Sequence, residues 1–438
     1  MTSQTRHRVG HTTIPPTWVP RFSTLVSVPI HLVLILLISR TCIVQVLGLN
    51  DQTPESLQFD GTFNTSIEPP EWMTEPLFHS PKVLAADYAE MKKKLKIFIY
   101  PHAANESNKF GNPEPPEAPL PYGNYASEPF LFRNLHESEF HTDDPNEAHF
   151  FALPFSILNL RMAIGPTNVS TFVKEYIDET VIPKWPFWNR TSGADHFYFT
   201  CHDIGVDATN NIPHLSGPAV QIVCPASRWK HSYIPTKDFS LPQIFPRYGS
   251  KPGGLSAEER RASKILAFWS GSQNSAIRKV LWEIWENDDE ILLGGGRVLK
   301  QKVKGEDYFS NFRKAKFCLH VKGYQVHTAR LGDAMYFGCV PVILADHFDL
   351  PFSDILDWRE FAVIVAESQV SNLKAILKSI SDEAYQKLHS NVINIVSHLF
   401  TWKSPPQDYD IFHMVMYDLW LRRFTVRPPL DHDSVSKS

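Results

Sequence analysis

The chain has 438 residues and a mass of 50.0 kDa, with 43% apolar and 12% aromatic residues. That much apolar material buries a large core, which excludes wholesale disorder, and the length suits two or three domains. A net charge of −4 argues against a nucleic-acid partner held by phosphate neutralisation, and five cysteines are too few for a disulfide scaffold and lack zinc-ligand spacing.

Residues 1–50 hold no Asp or Glu but carry Arg6, Arg8, Arg21 and Arg40. The run 25–38 is almost wholly apolar, and 41–49 extends it far enough to cross a bilayer of about 30 Å. Basic residues ahead of the span put the N-terminus in the cytosol. The expected order is a cytosolic tail (1–24), a transmembrane signal anchor (25–49) and a lumenal stem (50–94). A cleaved signal peptide ending near Gly48 is the alternative, for which the charged leader is long. The glycosylation sequons at Asn64, Asn105, Asn168 and Asn189 all lie beyond the anchor.

Residues 51–82 read as the linker part of the stem and 83–94 as a short helix. Strands are expected at 96–100, 149–154 and 196–200, with helices at 126–138 and 169–182 between them. A Pro-rich loop spans 112–121. A Pro, Gly and charge cluster near 246–262 marks a boundary, giving domains of 95–250 and 251–438. The second half repeats the alternation. Strands are expected at 265–269, 317–321, 340–344 and 361–365, and helices at 275–286, 328–337 and through 371–400. The helix at 275–286 has an apolar stripe of Ile277, Val280, Leu281 and Ile284, and Thr328 is the expected N-cap of the next. Strands alternating with helices imply parallel sheets covered on both faces, with a cleft between two tandem units. In an oxidising lumen Cys201 and Cys224 can bridge, whereas Cys318 and Cys339 read as buried thiols.

Chemistry concentrates after residue 316. A buried strand ends at Val321 and runs into Lys322, Gly323 and Tyr324, then into a helix with Arg330 in its first turn. A Gly-containing loop at a helix N-terminus, flanked by cations, suits a phosphate-bearing ligand. Asp333 falls on the face of Arg330, where it either accepts from sugar or ribose hydroxyls or forms a plain ion pair. In the first half, His202 and Asp203 follow a strand end and suit a general base. Glu128 flanks the helix after the Pro-rich loop, and His196 reads as a strand-interior residue. The Gly run at 293–296 reads as a turn. Trp185, Trp188, Trp269 and Trp282 read as core or rim packing rather than sugar-stacking residues.

Taken in order, these motifs resemble the exostosin-like glycosyltransferases, family 47, in their plant branch. The resemblance rests on Phe317-Cys-Leu through Tyr324, Arg330, Ala334, Gly338-Cys-Val-Pro-Val-Ile343 and Leu350-Pro-Phe-Ser-Asp-Ile-Leu-Asp-Trp358. Asp144-Pro-Asn-Glu-Ala-His149, Cys201-His-Asp203 and Lys237-Asp-Phe-Ser-Leu-Pro242 agree with it. It covers roughly residues 96–379. It implies a GT-B α/β architecture: two Rossmann-like domains in tandem, with a nucleotide-sugar donor on the C-terminal one and the acceptor on the N-terminal one. It also implies an inverting transferase in the Golgi lumen, acting on cell-wall polysaccharide or proteoglycan glycans, with donor contacts from Gly323, Tyr324, Arg330 and Asp333. The chain departs from the family at Val321-Lys322-Gly323, Gln325 and Asp333. Where it has Gln325 and Asp333, many members have Glu.

The expected mechanism is single displacement from a UDP-sugar, with Asp203 as base and His202 and Glu128 as further candidates. Lys322, Arg330 and the helix from Thr328 stabilise the departing diphosphate. No metal is required, with a divalent cation left open. The expected partners are the UDP-sugar, the acceptor polysaccharide, the Golgi membrane and other transferases, with no nucleic acid. Two rival readings are a non-catalytic Golgi partner of an active transferase and a hydrolase with paired carboxylates.

Overall fold

Short, mostly apolar runs form the two sheets of this protein, buried on both faces in every strand but Ile291–Gly294 and Val363–Ile364. The first sheet contains β1 (Ile97–Ile99), β2 (Phe150–Ala152), β3 (His196–Thr200), β4 (Val220–Val223) and β5 (Phe239–Ser240). They lie in the order β1-β2-β3-β4-β5, every pair parallel. The second sheet contains β6 (Ala267–Ser270), β7 (Ile291–Gly294), β8 (Phe317–Val321), β9 (Val340–Leu344) and β10 (Val363–Ile364). Its order is β10-β9-β8-β6-β7, again all parallel. The computed structural model describes residues 67–101, 123–246, 252–294 and 305–424. The expected tail and anchor, Asn64, Asn105, the Pro-rich loop, Gly295 and Gly296 lie outside the described residues. Among the described residues no helix is long and apolar enough to cross a membrane.

Alternate residues of each strand face opposite sides, and in the first sheet they enter two different cores. Phe98, Phe151 and Tyr198 join one cluster, and Ile97, Phe150, Phe197 and Phe199 the other. The second cluster continues into the other sheet through Val340, Val342 and Leu344. The principal helices are α1 (Pro81–Lys94), α2 (Ser127–Glu137), α3 (Ile157–Ile164), α4 (Ala276–Trp285), α5 (Arg330–Tyr336), α6 (Asp382–His398) and α7 (Ile411–Leu421).

Several expectations change. Helix α1, counted with the stem, is part of the folded body. Its Pro81 takes a first-turn position, where the missing N–H costs nothing. Its buried Asp87 accepts from Tyr417 and Trp420 of α7 and from Arg423. Helix α7 belongs to the second half of the chain, yet Arg422 just beyond it stacks on Phe239 of β5 at 4.5 Å and donates to the Lys237 carbonyl. The helix expected over 169–182 is α-helical only at Val169–Glu175 and continues as a π-helix at Tyr176–Val181. In α4, Ile277, Arg278 and Leu281 are buried, whereas Val280 and Ile284 of the expected stripe are 38% and 42% exposed. The inward face is rotated toward Arg278, whose guanidinium binds the end of β8. Helix α5 begins at Arg330, and Thr328 stands one residue ahead of the N-cap, its hydroxyl accepting from the Arg330 N–H at 3.2 Å. Cys201–Cys224 is a disulfide, and so is Cys318–Cys339, in place of the expected thiols. β8 and β9 are neighbours, which brings the Cα atoms of Cys318 and Cys339 to 5.8 Å, inside bridging range.

Candidate active site

In an open parallel sheet, ligands bind beyond the carboxyl ends of the strands, where the strand order reverses. In the second sheet that point lies between β6 and β8, because β7 extends to one side of β6 and β8 lies on the other. Two arginines gather there, and a lysine stands beside them on the β9 side of β8. Arg330 donates from Nε to the carbonyl of Ser270, the last residue of β6. Lys322 follows β8 and pairs with Glu367 at 2.6 Å. Arg278, which sequence reasoning passed over, donates twice to the Val321 carbonyl at 3.1 and 2.8 Å. It also donates to Ser272 O at 3.1 Å and Asn274 Oδ1 at 2.8 Å. Burial, with Arg330 nearby, lowers its pKa to about 10. The sequence signalled it only as an arginine lying between Ile277 and Leu281 of the apolar stripe.

Gly323 is explained by the same guanidinium. A Cβ there would come within 2.9–3.0 Å of the Arg278 side chain. Tyr324 is 67% exposed beside it. Asp333 is buried and accepts from the Tyr308 hydroxyl at 3.2 Å.

The first sheet contributes the turn after β3. Asp203 lies against the donor-side loop: its carbonyl accepts from the Gln325 side-chain amide at 2.8 Å, and its carboxylate lies 3.4 Å from His327 Nε2. The Tyr125 hydroxyl hydrogen-bonds Asp203, and burial with that carboxylate pushes the phenol up to about 12. The Asp203 side chain is 41% exposed, so it is open to a substrate. His327 and His320 are buried beneath, with pKa values lowered by burial to about 3 and about 4.

The other two base candidates are placed differently. His202 packs against Tyr125, ring centroids 4.6 Å apart and tilted by 34°, and accepts through Nδ1 from the Ile204 N–H at 3.2 Å, which puts the proton of the neutral ring on Nε2. It therefore offers a donor, not a free lone pair, and burial lowers its pKa. Glu128 has no exposed surface. It accepts from Ser156 Oγ at 2.5 Å, from the Cys201 N–H at 3.1 Å and from the Leu158 backbone, while burial raises its pKa to about 7. It positions the loops after β2 and β3 and does not face substrate. His196 is buried between Tyr100, at 2.7 Å, and Asp195, at 2.8 Å, which accounts for it structurally. Of the sequon residues, Asn168 and Asn189 are exposed.

The Exostosin GT47 domain model matches residues 91–380, both sheets and the crevice between them. The chain belongs to the exostosin GT47 family. A probable glycosyltransferase of Arabidopsis thaliana is 35% identical over 80% of this chain and 66% of its own length, so the chain spans just under two thirds of that relative. A probable glucuronosyltransferase of Oryza sativa subsp. japonica is 28% identical over 74% of this chain and 80% of its own. The probable beta-1,4-xylosyltransferase IRX10 of Arabidopsis thaliana is 26% identical over 74% of this chain and 82% of its own. The solved structure of TarM aligns with 58% of each chain at a TM-score of 0.30 and 9% identity, too distant to bear on fold or site.

Proposed function

We propose that this family member is an inverting glycosyltransferase of GT-B architecture. It moves a sugar from a UDP-sugar, held on the second sheet, to a cell-wall polysaccharide or proteoglycan glycan held on the first. In this reading it works in the Golgi lumen, behind a single-pass type II anchor. One observation carries the proposal. Arg330 and Arg278 stand at the β6/β8 switch point with Lys322 just past β8, while Asp203 from the other sheet lies against the loop that follows Lys322.

The chemistry is one displacement. The acceptor hydroxyl oxygen forms a bond to the anomeric carbon as its proton passes to the Asp203 carboxylate. The bond from that carbon to the diphosphate oxygen breaks, and its electron pair leaves with UDP. Lys322 is already balanced by Glu367, so Arg330, which makes no ion pair among the described residues, is the cation that meets the new charge. Helix α5 has seven residues, and its dipole adds less than the arginine does. Fixed cations take up the departing charge, so the proposed reaction runs without a metal and in the presence of EDTA. A requirement for Mg²⁺ or Mn²⁺ would overturn that part.

The test is a donor screen on the full chain, reading thermal shift and hydrolysis. UDP-glucuronic acid and UDP-xylose come first, because relatives are named for those sugars. UDP and at least one UDP-sugar should raise Tm, and Arg330→Ala should lose the shift. A chain that binds no nucleotide and tolerates Arg330→Ala would be a non-catalytic partner instead.

A further inference from the structure

One large aromatic lies outside everything assigned above. Trp229 is 74% exposed, in the loop after β4. Single exposed apolar residues are ordinary, but this one is mounted with care. Its ring lies 5.1 Å from that of His347, in the loop after β9 of the other sheet. The two loops are locked together. Arg228 N–H donates to His347 O, and Asp349 N–H to Ala226 O, each at 2.9 Å, around an antiparallel bridge between Ser227 and Phe348. Buried Asp349, from the loop after β9, holds the loop after β4 by accepting from its Arg228 and Tyr233, each at 2.6 Å. His347 is held in the left-handed region, at φ +66°, a conformation costly for a non-glycine residue and retained where the surroundings enforce it.

We infer that Trp229 and His347 form a stacking platform for a pyranose unit of the acceptor polysaccharide, a subsite beyond the one at which transfer occurs. The axial C–H face of a pyranose is apolar and matches an indole face, while its equatorial hydroxyls stay in water. A ring already fixed in place loses little conformational freedom on binding. The position suits a polymer. β4 is the neighbour of β3, whose end carries Asp203, and β9 is the neighbour of β8, whose end carries Lys322. Lys230, the residue after Trp229, pairs at 2.7 Å with Asp207, four residues past Asp203, which ties the Trp229 loop to the segment that carries the base. A chain whose terminal hydroxyl meets Asp203 would lay a following unit over Trp229. This subsite rests on the acceptor reading above, but its test does not need turnover.

The probes are cello-, xylo-, manno- and galacto-hexaoses, with affinity measured by titration calorimetry and affinity electrophoresis on the full chain. At least one hexaose should bind, and Trp229→Ala should weaken it tenfold or more. Trp229→Phe should retain most of the affinity, and the UDP thermal shift should persist as a check on folding. Equal binding by wild type and Trp229→Ala overturns the platform, as does the absence of hexaose binding to wild type. A Trp229→Ala variant that changes sedimentation rather than glycan affinity also overturns it, because the ring then serves self-association. Hexaose binding that depends on Trp229 in a chain that ignores UDP keeps the platform and sinks the transferase reading.

Discussion

Asp203 is the residue on which turnover depends in the proposed mechanism. Its carboxylate is partly open, and its backbone is fixed by Gln325. Asp203→Asn keeps the shape and removes the proton acceptor, so kcat should fall about 10²- to 10⁴-fold while Tm and UDP binding stay near wild type. Unchanged turnover would remove Asp203 from the role. The buried histidines make a separate prediction. An unfolded histidine titrates near 6.5, whereas His327 and His320 titrate near 3 and 4 in the fold. As pH falls below 6.5 the unfolded chain takes protons that the folded one refuses, so stability is lost down to about pH 4 for His320 and about pH 3 for His327. Glu128 acts oppositely: raised to about 7 against 4.5 unfolded, it adds stability as pH falls from 7 toward 4.5. Each group moves stability by up to about 1.4 kcal/mol per pH unit inside its window. His327→Gln should therefore gain Tm relative to wild type on going from pH 6.5 to 4.5, and Glu128→Gln should lose it. Parallel Tm-versus-pH curves for all three proteins would refute the assignment.

At the scale of elements, packing around Arg278 decides whether the donor-side loop keeps its form. Its guanidinium is pinned by carbonyls of two loops and by Asn274, so it cannot withdraw from a new methyl group. Gly323→Ala should cost about 1–3 kcal/mol and reduce the UDP thermal shift, both read in one melting experiment. A wild-type Tm and shift would mean the close approach is relieved cheaply. The same residue shows what the sequence could and could not tell. β3, β8 and β9 were legible at their exact ends because short, mostly apolar runs bounded by turn residues leave little choice. β4 was not, because buried Gln221 interrupts it; its amide is satisfied by Ser232 O and by Asp238, partners far along the chain. β5 has two residues and offers no pattern. The stripe of α4 was misread because an arginine looked like surface, and only the neighbouring strand end shows why it turns inward. Lys322, Arg330 and Asp203 were legible as chemistry near strand ends. That they share one crevice depended on the order of β6, β7 and β8, which the sequence does not print.

At the scale of the whole molecule, the two sheets share an apolar cluster and are also joined by polar contacts whose chemistry cannot be exchanged freely. Gln325 is buried, and its amide donates across the crevice to the Asp203 carbonyl. Gln325→Glu puts a carboxylate there that has no proton to give and that faces the Asp203 carbonyl oxygen, one residue's length from a second negative charge. A buried acceptor left without a donor costs about 1–3 kcal/mol, and the added repulsion pushes the Asp203 turn away from the donor loop. Turnover should fall about 10- to 100-fold, since about 1.4 kcal/mol is a factor of ten in rate, with UDP binding retained because the cations on the second sheet are untouched. The repulsion also shifts the titration of the new side chain upward. Once protonated, the carboxyl has an O–H to donate to the Asp203 carbonyl. The variant should then recover part of its turnover relative to wild type as pH is lowered from 7.5 to 5.5. A constant ratio between the two pH–rate profiles would show that this contact does not couple the sheets during transfer, whatever it contributes to the resting structure.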